Sequence, residues 1–216
     1  MKYSALIVAA GSGSRMKLGY NKVYAKLEDG TYILEKTISV FQKDPDCQEI
    51  IVVTDPLLYR EKIASRMPGK IVLAVGGKTR QESVCHGLMA VLSDYVMIHD
   101  GARPYLTQYR IDALKETLET EDAALLAVPS KDTIKKVENG YITTTYDRNS
   151  LVCAQTPQAF RTDLIIRCME RAIIDGFTGT DDCSLVEKYS DTKIKVVEGD
   201  YTNKKITTPE DIVKAM

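Results

Sequence analysis

The sequence lacks the charge excess and the long apolar runs that would place it in a specialised class of protein. Lysine plus arginine (29) and aspartate plus glutamate (30) nearly balance, so the formal net charge is −1. This balance gives no indication of a nucleic-acid or membrane surface. No apolar run approaches the ~20 residues of a membrane span, and the run at 5–10 is too short for a secretory signal. Any anion must therefore be bound by a local cluster of cations.

Paired cysteine motifs are missing as well. The five cysteines stand at wide spacings and form no C-x-x-C. A disulfide framework or a structural zinc site is therefore not expected, and a reducing cytoplasm fits this usage best. The P-loop pattern is absent, and no Ser–His–Asp or Cys–His set stands out.

Short apolar segments alternate with amphipathic ones along the chain. Segments that are almost continuously apolar predict buried strands at 4–10, 49–55, 70–75, 95–100 and 122–129, and a late strand is predicted at 193–199. Apolar residues at helical spacing predict helices at 31–42, 80–92, 107–119 and 162–175. This alternation predicts an α/β fold with a mainly parallel sheet and right-handed crossovers. A chain of 216 residues is expected to form a single domain over 1–216.

The pattern changes in the segment 132–148. Asn139-Gly140 stands between two alternating stretches there, which is the strongest short signal for a β-hairpin. A hairpin cannot lie in the middle of a parallel sheet, so we expect an arm at about 132–153 that projects from the domain. It is either a solvent-exposed excursion or a dimerisation arm.

Three unusual segments follow predicted strands. They are AAGSGSRM (9–16), GGKTRQES (76–83) and HDGARP (99–104). Parallel strands place their carboxyl ends on one edge of the sheet, where ligands of open α/β folds bind. We therefore expect the three segments to form one site.

The first of these segments is rich in glycine and is followed by cations. Gly11 and Gly13 allow backbone N–H groups to approach an anion closely. Arg15 and Lys22 then suit a polyphosphate, since charge develops on phosphate oxygens during transfer. A structural loop with surface cations is the alternative. A dinucleotide fingerprint fits less well, because Met16 stands where its third glycine would be.

Asp100 and Arg103 are the candidates at the end of the strand 95–100. A carboxylate there commonly meets a metal or a ribose, or it caps the following turn. Arg103 precedes a proline that favours an extended backbone, and its guanidinium would fork onto two oxygens of a phosphate or polyol. His99 points to the opposite face by alternation, and we expect it to orient the backbone. His86 is expected to pack inside its helix.

Together these motifs resemble the family of 2-C-methyl-D-erythritol 4-phosphate cytidylyltransferases. The resemblance also includes NKVYAKL (21–27), VPSKDTIK (128–135), DRNSLVCAQTPQAF (147–160), TDDCSLVE (180–187) and NKKITTPEDI (203–212), so it extends over nearly the whole chain. It implies a Rossmann-like three-layer sandwich that joins CTP to the methylerythritol phosphate and releases pyrophosphate. It further implies a divalent cation, usually Mg²⁺, and a homodimer whose β-arms interlock.

The resemblance also assigns residue roles. Catalytic roles fall to Arg15, Lys22, Arg148 and Lys205. The CTP site would be lined by Ala9, Ala10, Gly11, Gly13, Gly77, Arg80, Ser83, Asp100 and Gly101. The methylerythritol phosphate would meet Asp100, Arg103, Thr156 and Lys205, with Thr133 and Arg148 reaching it from the partner subunit. Asp100 is the candidate metal ligand, and otherwise the metal is held through the CTP phosphates.

The motif match departs from the family pattern in four places, one of which is Cys183 in place of a small residue, with no redox role needed. Asn21 stands where proline often precedes the lysine, and Gly101 where alanine is common. Asn203-Lys204-Lys205 replaces Asn-Ile-Lys, so the family lysine is assigned to Lys205. On an extended segment only one of the two lysines can face the site.

Other functions stay open beside this hypothesis. The first is a ribitol-5-phosphate cytidylyltransferase, although TDDCSLVE is closer to the erythritol-phosphate group. The second is a catalytically silent nucleotide-binding or interaction protein of the same fold, and a nicotinamide oxidoreductase is a more distant third.

Overall fold

Strands and helices alternate through most of the chain, as the apolar pattern predicts. The computed structural model describes residues 1–11, 21–69, 71–208 and 210–211. The strands are β1 Tyr3–Val8, β2 Cys47–Thr54, β3 Ile71–Val75, β4 Tyr95–Asp100, β5 Ala123–Pro129, β6 Lys135–Glu138, β7 Tyr141–Thr145, β8 Val152–Arg161 and β9 Lys195–Glu198. The helices are α1 Ile33–Lys43, α2 Pro56–Lys62, α3 Arg80–Leu88, α4 Gln108–Thr117, α5 Thr162–Ile174 and α6 Cys183–Tyr189.

A seven-stranded sheet forms the centre, in the order β3-β2-β1-β4-β8-β5-β9. All its strands run parallel except β8, which is antiparallel to both neighbours, β4 and β5. The prediction of a mostly parallel α/β sheet is therefore confirmed. The carboxyl ends of β1, β3 and β4 lie at one edge, so the three unusual segments start there.

Strand β8 was not expected from the apolar pattern. Its sequence, VCAQTPQAFR, contains a proline and two glutamines, which are untypical of a central strand. The pairing with β5 shifts between Leu125 and Ala127, where the partners jump from Gln158 to Ala154. This irregularity accommodates Pro157, which has no N–H to donate, and it lies beside the end of β4.

Helices cover both faces of the sheet. Alternate residues of β1 divide between two apolar clusters: Ala5 and Ile7 pack with residues of α1, α2 and α4, whereas Leu6 packs with residues of α3, α5 and α6. The result is the three-layer sandwich that the resemblance implies. Among the described residues, no helix is long and apolar enough to cross a bilayer.

Helix α3 is shorter than the predicted 80–92. It ends at Leu88. In the connection to β4, Leu92 N donates to Glu49 Oε1 at 2.7 Å. Leu92 is consequently 88% exposed instead of packed. The packing role predicted for His86 is wrong too, because its ring is exposed and its Nδ1 lies 2.9 Å from the carbonyl oxygen of Val75.

The predicted hairpin forms a separate two-stranded sheet of β6 and β7. Asn139 (φ 51°) and Gly140 (φ 83°) both have positive φ, as a tight primed turn requires. Residues 131–150 are all exposed. The predicted hairpin is thus observed, outside the central sheet.

Candidate functional site

A cavity of about 520 Å³ opens at the carboxyl edge of the sheet. The segments that follow β1, β3 and β4 all line it, together with the turn after Asn21 and one residue from the late loop 199–208. Its walls are made by Val8, Ala9, Ala10, Gly11, Asn21, Lys22, Val23, Gly77, Lys78, Thr79, Arg80, Ser83, Asp100, Gly101, Ala102 and Lys205. The expected meeting of the three loops is therefore observed. Of the catalytic and CTP-site residues named from the sequence, Gly13 and Arg15 lie outside the described residues, and Arg148 does not line the cavity.

Asn21 fixes the position of Lys22 beside the first loop. Its side-chain amide donates to the carbonyl oxygen of Ala9, and its Oδ1 accepts from Val23 N at 3.3 Å. The second bond caps the short 3₁₀ turn Lys22–Tyr24. An asparagine can therefore do here what a proline does elsewhere in the family pattern: it shapes the turn that carries the half-buried lysine into the cavity.

The second loop folds back onto the start of α3. Ser83 Oγ accepts from Gly77 N at 3.0 Å and lies 2.9 Å from the Thr79 carbonyl oxygen, while Thr79 Oγ1 accepts from Glu82 N at 3.0 Å as the N-cap. A Cβ on Gly77 would lie only 2.3 Å from Glu82 Cβ. Gly77 is therefore required for this close approach, and the loop presents its backbone to the cavity.

Asp100 lies at the centre of a cluster of cations. Its Oδ2 is 2.9 Å from Lys205 Nζ and 3.5 Å from Arg103 Nε, and its Oδ1 is 3.5 Å from Arg80 Nε. Burial by itself would raise the pKa of this carboxyl, but Lys205, Arg80 and Arg103 hold the pKa well below its ordinary value. Asp100 is thus ionised at any physiological pH, and the surrounding cations give the site a net positive charge.

The late loop brings Lys205 to this cluster. Asn203 is 1% exposed, and its side-chain amide donates to the Thr156 carbonyl oxygen at 2.9 Å. Its own carbonyl oxygen accepts from Arg103 Nη1 at 2.7 Å. This anchoring places Lys205 beside Asp100, and its assignment as the family lysine stays a prediction.

A buried hydrogen-bond chain supports the backbone behind Asp100. His99 Nε2 lies 3.1 Å from the Arg103 carbonyl oxygen, and His99 Nδ1 lies 2.9 Å from Thr156 Oγ1. Thr156 Oγ1 also accepts from Asp100 N at 3.0 Å. His99 therefore braces the turn from behind, as its alternation predicts. The buried Thr156 hydroxyl is engaged in this chain, so its role in binding substrate stays a prediction.

The two arm residues named from the resemblance lie apart from the cavity. Thr133 and Arg148 are exposed, and Arg148 Nη1 donates to the Lys131 carbonyl oxygen at 3.2 Å. Neither residue lines the cavity of its own chain. Their predicted contribution therefore depends on a second subunit.

Two residues to which the sequence assigned no role lie behind the site. Asp182 forms an ion pair with Arg80, and Gln158 holds the backbone of Asp182. TDDCSLVE was noted only for the resemblance, and Gln158 lies in the strand that the apolar pattern did not reveal. Both contacts join segments far apart in the chain, so no local spacing points to them.

The described residues contain no group of three or more His, Cys, Asp or Glu side chains that could hold a metal ion. Among the described residues that line the cavity, Asp100 is the one acidic side chain. A metal here would therefore need most of its ligands from a bound molecule.

Comparisons with known proteins agree on one family. The family model described as 2-C-methyl-D-erythritol 4-phosphate cytidylyltransferase matches residues 3–216. The protein of that name from Bacillus velezensis is 44% identical over 220 residues, which cover 100% of this chain and 94% of the relative. The one from Geobacillus kaustophilus is 42% identical and covers 100% of this chain and 96% of the relative.

Solved structures show the same similarity. The 4-diphosphocytidyl-2C-methyl-D-erythritol synthase from Anaerococcus prevotii superimposes with a TM-score of 0.87 at 35% identity, over 99% of this chain and 96% of that chain. The 2-C-methyl-D-erythritol 4-phosphate cytidylyltransferase of Francisella tularensis gives a TM-score of 0.86 at 30% identity, over 100% and 98%.

Proposed function

The chain belongs to the family of 2-C-methyl-D-erythritol 4-phosphate cytidylyltransferases, and we propose that the cavity beside Asp100 is its active site. The protein transfers CMP from CTP to 2-C-methyl-D-erythritol 4-phosphate and releases pyrophosphate, in non-mevalonate isoprenoid biosynthesis. The observation that carries the site proposal is the group of cations, Lys205, Arg80 and Arg103, around one ionised carboxylate on the cavity wall.

The chemistry asks for positioning and charge stabilisation. A phosphate monoester is largely doubly ionised at neutral pH, so its oxygen attacks the α-phosphorus of CTP without a general base. The new phosphorus–oxygen bond forms as the bond to the β-phosphate oxygen breaks, and pyrophosphate leaves with that electron pair. Lys22 and, by the resemblance, Arg15 stabilise the charge on the α-phosphate, while the loop backbone at Gly11 and Gly77 holds the nucleotide.

We assign the alcohol phosphate to the side of the cavity that Lys205 lines, where Arg103 lies behind the wall on the same Asp100 oxygen. Both cations are held in place before substrate arrives, Arg103 by the Asn203 carbonyl oxygen and Lys205 by Asp100. A preformed pair of cations lowers the cost of ordering the site for a phosphate. Asp100 then orients both cations and accepts hydrogen bonds from the alcohol.

The residues also fit a Mg²⁺ ion that is held mainly by CTP. Mg²⁺ keeps several waters and takes one or two carboxylates plus substrate phosphates, and Asp100 is the carboxylate that the cavity offers. When bound there, the ion would neutralise charge on the triphosphate. The ionised state of Asp100 suits this role.

A matched pair of lysine variants tests the site. Lys22→Ala should lower kcat by about 100-fold or more and change the KM for CTP much less, because the stabilised charge develops in the transition state. Lys26→Ala is the control, since Lys26 is exposed and does not line the cavity. An equal loss in kcat and in CTP binding, or no loss, would count against the assignment.

Substrate choice is tested by pyrophosphate release with CTP and each of two sugar phosphates. Turnover with 2-C-methyl-D-erythritol 4-phosphate well above that with ribitol 5-phosphate is expected. A preference for ribitol 5-phosphate would overturn the substrate. CTP binding without pyrophosphate release from either would indicate a silent binding protein.

We propose that the β6–β7 hairpin is a dimerisation arm. Its two strands leave large apolar side chains in solvent: Val137 is 57%, Tyr141 78% and Ile142 65% exposed. A two-stranded hairpin is only marginally stable alone, so a partner that covers this surface would stabilise it. A homodimer would also bring Arg148 to the partner's cavity.

Mixing two inactive variants tests this arrangement. In a heterodimer of Lys22→Ala and Arg148→Ala subunits, one site has an intact Lys22 and receives an intact Arg148 from its partner. Random mixing should restore about a quarter of wild-type activity, because about half the dimers are heterodimers with one such site. If Arg148 acts on its own subunit, or the protein sediments as a monomer, mixing restores nothing.

A cytoplasmic location is part of the proposal. All five cysteines are free thiols, and Cys153 is exposed. Exposed free thiols are typical of reducing compartments. Fractionation of cells that produce the protein should find it with cytoplasmic markers, and recovery with the envelope would refute this.

A further inference from the structure

Arg80 makes a bidentate ion pair that the nucleotide site does not by itself explain. Its Nη1 donates to Asp182 Oδ1 at 2.9 Å and its Nη2 donates to Asp182 Oδ2 at 2.7 Å. The Asp182 side chain is 1% exposed. The fork of the guanidinium is therefore filled by protein, and only Nε is directed toward Asp100, at 3.5 Å.

Asp182 is itself held by the central sheet. Gln158 Oε1 accepts from the backbone N–H groups of Asp182 and Cys183, each at 3.0 Å, and its amide donates to Asp181 Oδ2 at 2.7 Å. Gln158 is 1% exposed and pairs with Ile98 of β4, close to Asp100. The ion pair thus has a rigid base, and Arg80 connects two carboxylates fixed to the same sheet.

The charges in this arrangement depend on one another. Burial lowers the pKa of Arg80, but Asp182 and Asp100 more than offset that effect and raise it. Burial raises the pKa of Asp182, and Arg80 offsets only part of that rise. The buried Asp182 carboxylate therefore depends on Arg80 to stay ionised.

We infer that Asp182 is a positioning residue that acts through Arg80 on Asp100. It holds the guanidinium fork away from the triphosphate and keeps Nε on Asp100, so that Asp100 keeps its orientation toward the substrates. The inference rests on the proposed role of Asp100. Arg80 on this view contributes orientation and charge balance more than direct phosphate binding.

The variant Asp182→Asn separates this role from a structural one. Without the Asp182 carboxylate, the positive charge of Arg80 is no longer neutralised there, and its guanidinium turns toward the triphosphate. The expected result is a kcat about 10-fold lower with a KM for CTP that is unchanged or lower, because ground-state binding is kept while geometry is lost. A rise in the KM for CTP with unchanged kcat would overturn the inference.

A double-mutant cycle with Arg80→Gln tests whether Asp182 acts through Arg80. If it does, Asp182→Asn changes kcat by less than about twofold in the Arg80→Gln background. Two independent, multiplying effects would overturn the inference. Wild-type turnover of CTP with the methylerythritol phosphate is measured in parallel, and its absence would be a failure of the proposed function instead.

Asp44→Asn is the matched control. Asp44 is also a buried carboxylate: it forms an ion pair with Lys115 at 3.3 Å and accepts from Tyr3 OH at 2.9 Å, but it lies at the opposite edge of the sheet. It should lose stability and keep both kinetic constants within about twofold. If Asp44→Asn also lowers kcat without raising the KM for CTP, this change reflects lost stability and the inference is overturned.

Arg80→Lys provides a second reading if Asp182→Asn is not recovered folded. It keeps the positive charge that Asp182 needs, but one ammonium cannot reproduce the fork. On our inference kcat falls about 10-fold, because Asp182 and Asp100 can no longer both be held. Near-wild-type kcat would identify position 80 as a simple phosphate ligand, since lysine serves well in that role.

Discussion

His99 should make the stability of this protein fall as the pH drops from 7.5 to 5. The imidazole is fully buried, with Nε2 beside the Arg103 carbonyl oxygen and Nδ1 beside the Thr156 hydroxyl. A carbonyl oxygen can only accept, so Nε2 carries the proton and the neutral ring accepts at Nδ1. Protonation would place a second N–H against the hydroxyl and a charge in the interior.

The size of the effect follows from the pKa. Burial lowers the pKa of His99 from 6.5 to about 4. Between these values the unfolded chain binds a proton that the folded chain does not, so acid favours unfolding. The full shift corresponds to about 3 kcal/mol, and about 2 kcal/mol of it is lost between pH 7.5 and pH 5.

Urea unfolding followed by circular dichroism, in buffers with EDTA at pH 7.5 and pH 5, measures this loss. The variant His99→Gln cannot titrate, so its free energy of unfolding should change between the two pH values by about 2 kcal/mol less than that of the wild type. His86→Gln, at the exposed histidine, should keep the wild-type difference. Carboxylates titrate in all three proteins and cancel in the comparison. A wild-type pH dependence in His99→Gln would refute the reasoning.

Two substitutions of glycine by alanine should be harmful, because an added Cβ at either position would collide with neighbouring atoms. Gly87→Ala should lower the free energy of unfolding by about 1–2 kcal/mol. The added Cβ would lie 2.8 Å from Leu6 and Val53 atoms, and this overpacking outweighs the gain in helix propensity. An unchanged or higher urea midpoint would show that these side chains can move aside. Gly77→Ala should raise the KM for CTP at least about 10-fold, since its Cβ would collide with Glu82 and push the loop off the start of α3. An unaltered KM in steady-state kinetics would mean that the loop backbone does not hold the nucleotide.

Much of the fold could be predicted because its signals are local. Apolar runs marked β1 to β5 and β9, and Asn139-Gly140 marked the hairpin, since turn chemistry depends on neighbouring residues. The meeting of three loops in one cavity also followed, because parallel strands share an edge. The choice of Lys205 over Lys204 came from the motif and stays a prediction, and Lys205 Nζ lies 2.9 Å from Asp100 Oδ2.

The errors came where distant segments meet. Strand β8 was not predicted from the sequence. A segment that contains Pro157 becomes a central strand only through its pairing with β4 and β5, which lie far from it in the chain. Helix α3 ends at Leu88, before the predicted residue 92, and Leu92 N instead donates to Glu49 Oε1 on β2.

The sequence by itself determined the alternation of strands and helices, the hairpin, the family and the loops that build the cavity. These depend on periodicity, turn residues and motifs, which are read along the chain. Only the tertiary structure decided which charges face one another. Asp100 forms ion pairs with Lys205, Arg80 and Arg103, and both terminal nitrogens of Arg80 bind Asp182. The physical reason is that ion pairs and buried hydrogen bonds depend on distance in space, and the order of strands in the sheet sets those distances.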